Sequence, residues 1–271
     1  MDNSIMMTSG TEINDKFELT SDKIRIGDTI LYRIRALKSF GDVLEGELGG
    51  YVESEQNLSV AHDEDGKITD LSWIYNNAKV YGDAIISDNS KIKDFAQVYD
   101  NTSINNDAVV SGFAKVFGSA TVSGKAKVYG NAMVFDDAKI FGNAQIFGNA
   151  WIYEECQVFG NAKIYGNAWG YGKSQIYDNS KIYGNVQIFG NAWIYENAKI
   201  YENIRVCGEV SVHGNAKIYG NGWYRGKEDV YWDERIYDNT QLVAQNALNR
   251  YLLTYIDGRF NPDDVLKNGG E

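Results

Sequence analysis

Lys139–Ala150 reads KIFGNAQIFGNA, one six-residue phrase stated twice, and the phrase continues in both directions. With an aliphatic residue at the second place of each hexad, the frame runs without a slip from Trp73-Ile74-Tyr75-Asn76-Asn77-Ala78 to Arg235-Ile236-Tyr237-Asp238-Asn239-Thr240. That is 168 residues, or 28 hexads. A short fixed period marks an architecture in which each unit buries its apolar face only against its neighbours.

Each place of the hexad has a physical reading. In Ala-Lys-Ile-Tyr, small, polar, aliphatic and aromatic residues alternate with the period of two of a short strand. Ala and Ile then face inward, Lys and Tyr outward. Gly-Asn breaks the strand, because both residues tolerate the positive φ of a sharp corner. Three strands, 18 residues, close a triangular coil, and coils stack at roughly 4.8 Å, the spacing of paired strands. Nine-odd coils predict a rod on the order of 45 Å long. The inward places hold such a core: of the 28 aliphatic places only Gly170 and Tyr224 depart from Ile or Val. The other inward place is Ala, Ser, Thr or Cys until Val186, Ile204 and Val210. A disordered low-complexity tract has no reason to keep such a pattern.

The aliphatic-x-x-x-small-x phrase resembles the hexapeptide-repeat superfamily. That resemblance implies an all-β fold, a left-handed parallel β-helix, which is an exception to the usual right-handed crossover. The known enzymes of the superfamily are mostly acyl-CoA-dependent acyltransferases, usually trimers. Leu37–Ser59, LKSFGDVLEGELGGYVESEQNLS, followed by WIYNNAKVYGDA from Trp73, is similar to a group of hexapeptide proteins of phages, prophages and enteric bacteria, often described as transferases. The likeness covers most of the chain after Ile30, and it is specific for fold but poor for function.

Outside the repeats the chain reads as end-pieces. Residues 1–15 are polar and read as a mobile tail, not a signal peptide. Residues 16–72 form an N-terminal β cap and a loop leading into the repeats: Ile24 and Ile26 flank Arg25, while Tyr32, Ile34 and Ala36 alternate with Arg33 and Arg35. Gly27-Asp28 suits a hairpin turn between those runs, and such a hairpin would cover the open edge of the first coil. Gly41–Gly50 reads as a Gly/acid loop and Ala61–Gly66, AHDEDG, as an interruption. The rod occupies 73–240, and 241–271 reads as a helical cap: Val243, Ala247, Leu248, Tyr251, Leu252 and Tyr255 fall at helical spacing over Gln241–Ile256.

The net charge is −11, and most of it belongs to the amino-terminal cap, where residues 1–72 carry −8 against −2 for 73–240. That distribution counts against the rod as a DNA mimic, and the acidic sign makes double-stranded nucleic acid an unexpected partner. Cys156 and Cys207 sit at an inward and an outward place, so no disulfide is expected, as suits a reducing compartment. No stretch has the 18 or so consecutive apolar residues of a membrane span. These features together point to the cytoplasm, or the host cytoplasm if the protein is phage-encoded.

The acyltransferases of the superfamily generally use a histidine as general base, a role that needs a near-neutral pKa. Only His62 and His213 are available. His213 takes an outward place usually held by Tyr, with Tyr195 and Tyr231 one coil away on either side; it is the alternative catalytic residue, with acetyl-CoA or another acyl-CoA as cofactor. His62, in the acidic loop, is expected to be solvated. Two histidines cannot make the three-histidine zinc site of the superfamily's carbonic anhydrases, so no metal is expected. A frame with no insertion also leaves no loop to wall a pocket within one subunit.

Residues 18 apart stack, and sorting the outward places this way yields three faces. One carries Lys127, Lys163, Lys181, Lys199, Lys217 and Arg235, interrupted by Gln145, beside Tyr129, Phe147, Tyr165, Tyr183, Tyr201, Tyr219 and Tyr237. The second, the apolar face, carries Met133, Trp151, Trp169 and Trp223 with Phe135, Tyr153, Tyr171 and Phe189. On the third, Ser87, Asn105 and Ser123 give way to Phe141, Phe159, Tyr177 and Tyr195. Stacked aromatics stabilise sheets without any ligand, yet this many outward rings exceeds what a monomer should show. Lys with Tyr suits an anion with a flat ring, such as a nucleotide. Trp with Met suits a second copy of the chain. Stacked lysines repel one another unless acidic corners, here Glu196, Glu202 and Glu209, or a bound anion relieve them. The expectation is a non-catalytic rod that forms a homotrimer or dimer through the Trp face and sequesters a nucleotide-like ligand or a host protein. The alternatives are an acyltransferase and a purely structural protein.

Overall fold

The computed structural model describes residues 14–227, 229–231 and 235–238. The repeat region is a parallel β-solenoid whose strands lie in three sheets of 12, 10 and 9 strands, the first of them including the cap strands. Repeat strands pair in parallel with those 18 residues away, as in Gln145 with Lys163 and Lys163 with Lys181. Over most of the rod each strand is only two residues long, the Lys-Ile of the hexad. Coil binds coil through the backbone: Lys79 N donates to Ala96 O at 2.9 Å, Tyr81 N to Val98 O at 3.1 Å and Asn101 N to Gly118 O at 2.8 Å. The inward places are closed to solvent, with Ile146, Ala150, Ile152 and Cys156 all at 0 % exposure. Even Gly170 leaves little room, since a Cβ there would meet Ile152 Cδ1 at 3.1 Å and Cys156 Sγ at 3.2 Å.

The corners correct one detail of the hexad reading. Among the described repeat residues only the fourth place takes positive φ; the Asn that follows does not. Glycine suits this place, and a Cβ on Gly112 would come within 3.0 Å of Gly130 N. Where the fourth place is acidic, the side chain compensates. Asp94 (φ 61) accepts a hydrogen bond from Gly112 N at 2.9 Å, and Glu154 (φ 55) accepts one from Gly172 N at 2.8 Å. A carboxylate on a left-handed corner thus caps the corner amide of the next coil, offsetting the cost of roughly 1–2 kcal/mol for a non-glycine residue in that conformation.

The cap is a hairpin, β1 (Phe17–Ile26) and β2 (Thr29–Ala36), turning at Gly27-Asp28 with Gly27 at φ 58. The loop expected over Gly41–Gly50 ends early: β3 (Leu48–Val52) is a strand, antiparallel to β2 and parallel to Lys79-Val80. It therefore splices the hairpin into the rod's largest sheet. Two glycines permit the approach, because a Cβ on Gly50 would stand 2.5 Å from Ala78 O and one on Gly49 2.7 Å from Ile74 O. Beneath the cap Trp73 is fully buried, edge-on to Phe17 and Phe40. His62 is not solvated as expected; its Nε2 lies 2.7 Å from Asp15 Oδ1. Asp15 also pairs with Lys38, whose hydrogen bond holds the carboxyl below its usual range. Of the expected tail at 1–15, residues 1–13 lie outside the described residues, as does the expected helix over Gln241–Ile256, whereas Asn14 accepts from Lys16 N and Phe17 N and Asp15 is held by Lys38. No helix among the described residues is long and apolar enough to cross a membrane.

Candidate ligand-binding faces

Outward aromatic residues form a continuous column on each of the three faces. On the first, Tyr129, Phe147, Tyr165, Tyr183, Tyr201 and Tyr219 stack with centroids 4.7–5.1 Å apart and planes within 7° of parallel. Tyr237 ends the column at 5.5 Å, tilted by 55°. The second column runs from Tyr81 through Phe135, Tyr153 and Tyr171 to Phe189 at 4.8–5.0 Å. The third runs from Phe141 through Tyr195 to His213 and Tyr231. In the regular stretches each ring has its faces covered by its neighbours and offers its edge to solvent, so a base would have to open the column to stack within it.

Beside the first column the cations come into register as expected: Lys163, Lys181, Lys199, Lys217 and Arg235 are successive partners in one sheet. Lys127 stands apart from them across Gln145. Nearer the cap the same sheet contains Lys91, whose Nζ lies 2.7 Å from both carboxylate oxygens of Asp42. The later lysines of this sheet have no such partner among the described residues. Of the three acids that could relieve them, Glu196 accepts from Gly214 N at 2.7 Å and faces His213 Nδ1 at 3.8 Å. Glu209 pairs with Lys227 at 2.9 Å. Glu202 forms no ion pair among the described residues, and neither do Lys127, Lys163, Lys181, Lys199 or Lys217.

On the second face Met133, Trp151 and Trp169 are successive partners, with the two indoles stacked at 5.2 Å. Trp223 lies further along, covered by the Arg205 guanidinium at 4.9 Å. All four of these residues are half-buried. Among the described residues the most exposed tryptophan stands on the third face instead: Trp193, at 50 %. Its column partners are Gln175 and Ser211, and its exposure follows from the small neighbour, a signal readable by sorting first-place residues at the 18-residue spacing. The same sorting at the fifth place reveals asparagine ladders, Asn131–Asn149–Asn167–Asn185–Asn203 and Asn143–Asn161–Asn179–Asn197, each amide donating to the next.

His213 is stacked on Tyr195 at 4.7 Å, with Nε2 2.9 Å from Asp229 Oδ1 and Nδ1 3.8 Å from Glu196 Oε2. A general base needs one ring nitrogen turned to substrate, whereas here each nitrogen has a carboxylate neighbour. Burial raises the pKa of the Cys156 thiol to about 12 and that of Cys207 by less, so neither is an activated nucleophile. A comparison with protein-family models finds no match to this chain, and neither does a comparison with curated protein sequences.

Proposed function

We propose that this protein is a non-catalytic β-solenoid that binds a phosphate-bearing anion along the Lys/Tyr face. The observation supporting the reading is the run Lys163, Lys181, Lys199, Lys217 and Arg235, in register and without a carboxylate partner among the described residues. Neighbouring charges about 5 Å apart repel by roughly 1 kcal/mol each even in water. A bound polyanion converts that repulsion into attraction, and the adjoining tyrosine hydroxyls add donors. Because the rings are already stacked on one another, recognition falls to charge and hydroxyl rather than to a base. The similarity to phage-type hexapeptide proteins favours sequestration of a host nucleotide or protein as the biological role.

The test is a thermal shift in the presence of ATP, tripolyphosphate and adenosine. The first two should raise the melting temperature in a salt-sensitive manner and adenosine should not. Replacing Lys181, Lys199 and Lys217 together with Gln should abolish the effect while leaving the fold intact. A triple variant that is more stable and binds as before would reduce the column to a solvated face.

The stacked Trp151 and Trp169 favour a companion reading, self-association into a dimer or trimer through the Trp face. Sedimentation of a Trp151→Lys/Trp169→Lys variant tests it, and a monomeric wild type would refute it. The acyltransferase alternative stands or falls on acyl-CoA turnover that disappears in His213→Ala.

A further inference from the structure

From Trp193 the structure assigns a second binding site, on the third face, for the guanidinium of an arginine side chain from a partner polypeptide. Trp193, Ser211 and Asp229 are successive register partners on neighbouring coils. Two coil steps separate the backbones of Trp193 and Asp229 by roughly 10 Å, and the Asp229 carboxylate reaches back to the intervening coil, where its Oδ1 lies 2.9 Å from His213 Nε2. The intervening Ser211 is too small to fill that layer. The result is a groove of about 520 Å³ lined by Asn191, Trp193, Tyr195, Glu209, Ser211 and Asp229, with an uncovered indole as its floor and carboxylates at its rim.

The other outward indoles among the described residues are covered differently. Trp151 and Trp169 stack on each other, and Trp223 takes the Arg205 guanidinium at 4.9 Å from the next register position. Trp193 has no ring or cation partner among the described residues. The Arg205–Trp223 pair is the chain's own example of what completes such a layer: a flat cation on the indole face. In the Trp193 groove the matching negative charge is supplied by the rim. Asp229 Oδ1 holds His213 Nε2 at 2.9 Å, while Oδ2 has no hydrogen-bond partner among the described residues. Among the described residues the Glu209 carboxylate holds only Lys227, which is 81 % exposed and readily displaced. A guanidinium can stack on the indole and donate to a carboxylate at once, because its donors lie in the plane of its charge. An ammonium has no such plane. Tryptophan and arginine are also both enriched among the residues that carry most of the energy of protein contacts. The site is independent of the Lys/Tyr face, with the opposite charge preference on a different sheet.

Saturation-transfer NMR with the full chain tests it, using the peptide acetyl-Gly-Ser-Arg-Ser-Gly-amide beside its lysine and citrulline counterparts. The arginine δ-protons should receive saturation, and the effect should fall about tenfold in Trp193→Ala and, separately, in Asp229→Asn. Trp193 is half exposed and Asp229→Asn keeps its shape, so both variants should melt as the wild type does. Equal saturation of the lysine peptide would replace the planar site with general attraction to an acidic protein and overturn the inference. So would an unchanged signal in Trp193→Ala, or no signal in the wild type. A change of oligomeric state in Trp193→Ala would make the groove a contact between copies of this chain and likewise exclude an arginine partner.

Discussion

Lys16 and Asp70, 54 residues apart in the chain, meet with Nζ 2.8 Å from Oδ1, and both side chains are shut away from solvent. Lys16 Nζ also donates to Ser59 O at 2.9 Å and Ser72 Oγ at 3.2 Å, so three parts of the cap are tied to one ammonium. Removing one partner leaves the other charge buried and unpaired. Asp70→Ala should cost about 3–5 kcal/mol, and Lys16→Met/Asp70→Leu should recover much of that loss. Urea unfolding of the single and double variants measures both; a single variant as stable as the wild type would falsify the clamp.

Gly50 is required by distance, not by conformation. Its added Cβ would lie 2.5 Å from the carbonyl oxygen of Ala78, a backbone atom that cannot step aside. Gly50→Ala should destabilise by about 1–3 kcal/mol or more as β3 is pushed off the first coil. The melting temperature reads this directly, and no change would mean that β3 does not lie so close.

Asn167 stands in the middle of a ladder, donating to Asn185 Oδ1 at 2.9 Å and accepting from Asn149 Nδ2 at 3.0 Å. Asn167→Ala removes two exposed hydrogen bonds and should cost about 1–2 kcal/mol. Asn101, at the equivalent place on another corner, has no side-chain bond among the described residues, so Asn101→Ala should lie within about 0.5 kcal/mol of the wild type. Equal effects of the two changes would show that the ladder adds nothing.

The ring columns make the rod sensitive to alkali. Burial, and then the neighbouring phenols and carboxylates, push Tyr81 and Tyr153 up to about 12 from an ordinary value of 10.0. A raised folded-state pKa means the neutral form is favoured in the folded state. The associated stability is complete below pH of about 10 and is lost as pH climbs toward about 12. Phenolate absorbance and circular dichroism followed together should change in the same interval. Titration of all tyrosines near their ordinary value, with the fold intact, would show that the columns are open to water.

Cys156 and Cys207 should separate cleanly under alkylation. Cys156 is wholly buried and pushed up to about 12, while Cys207 is half-buried and raised by less. Mass spectrometry of native protein should find Cys207 modified first, with Cys156 reacting only in denaturant. Modification of Cys156 at the native rate of Cys207 would place it outside the core.

Most of the rod was legible because its information lies in one coordinate, the period. Ile146 is inward for the same reason as Ile140 and Ile152, and residues such as Tyr165 and Tyr183 stack because they are 18 apart. What escaped the pattern depends on contacts between unlike places. That Glu196 serves Gly214 N and His213, and so is not free for the lysines, needs a corner's side chain followed into the next coil. The exposure of Trp193 depends on the size of Ser211, not on tryptophan itself. In the cap, Gly49-Gly50 looked like a loop because glycine usually marks one, whereas here it makes room for a backbone. The burial of Lys16 had no local signal at all.

Because each coil grips only the ones above and below through the same amide-to-carbonyl contacts, the rod behaves as a ruler with an 18-residue graduation. Excising or duplicating one graduation inside the regular stretch returns every aliphatic, aromatic and asparagine column to its own file. Descendants of such a gene can therefore lengthen or shorten by whole coils without inventing a new core. Between Lys163 and Lys217 each step would add or subtract one rung of the lysine file, so that the number of stacked cations is inherited as a length.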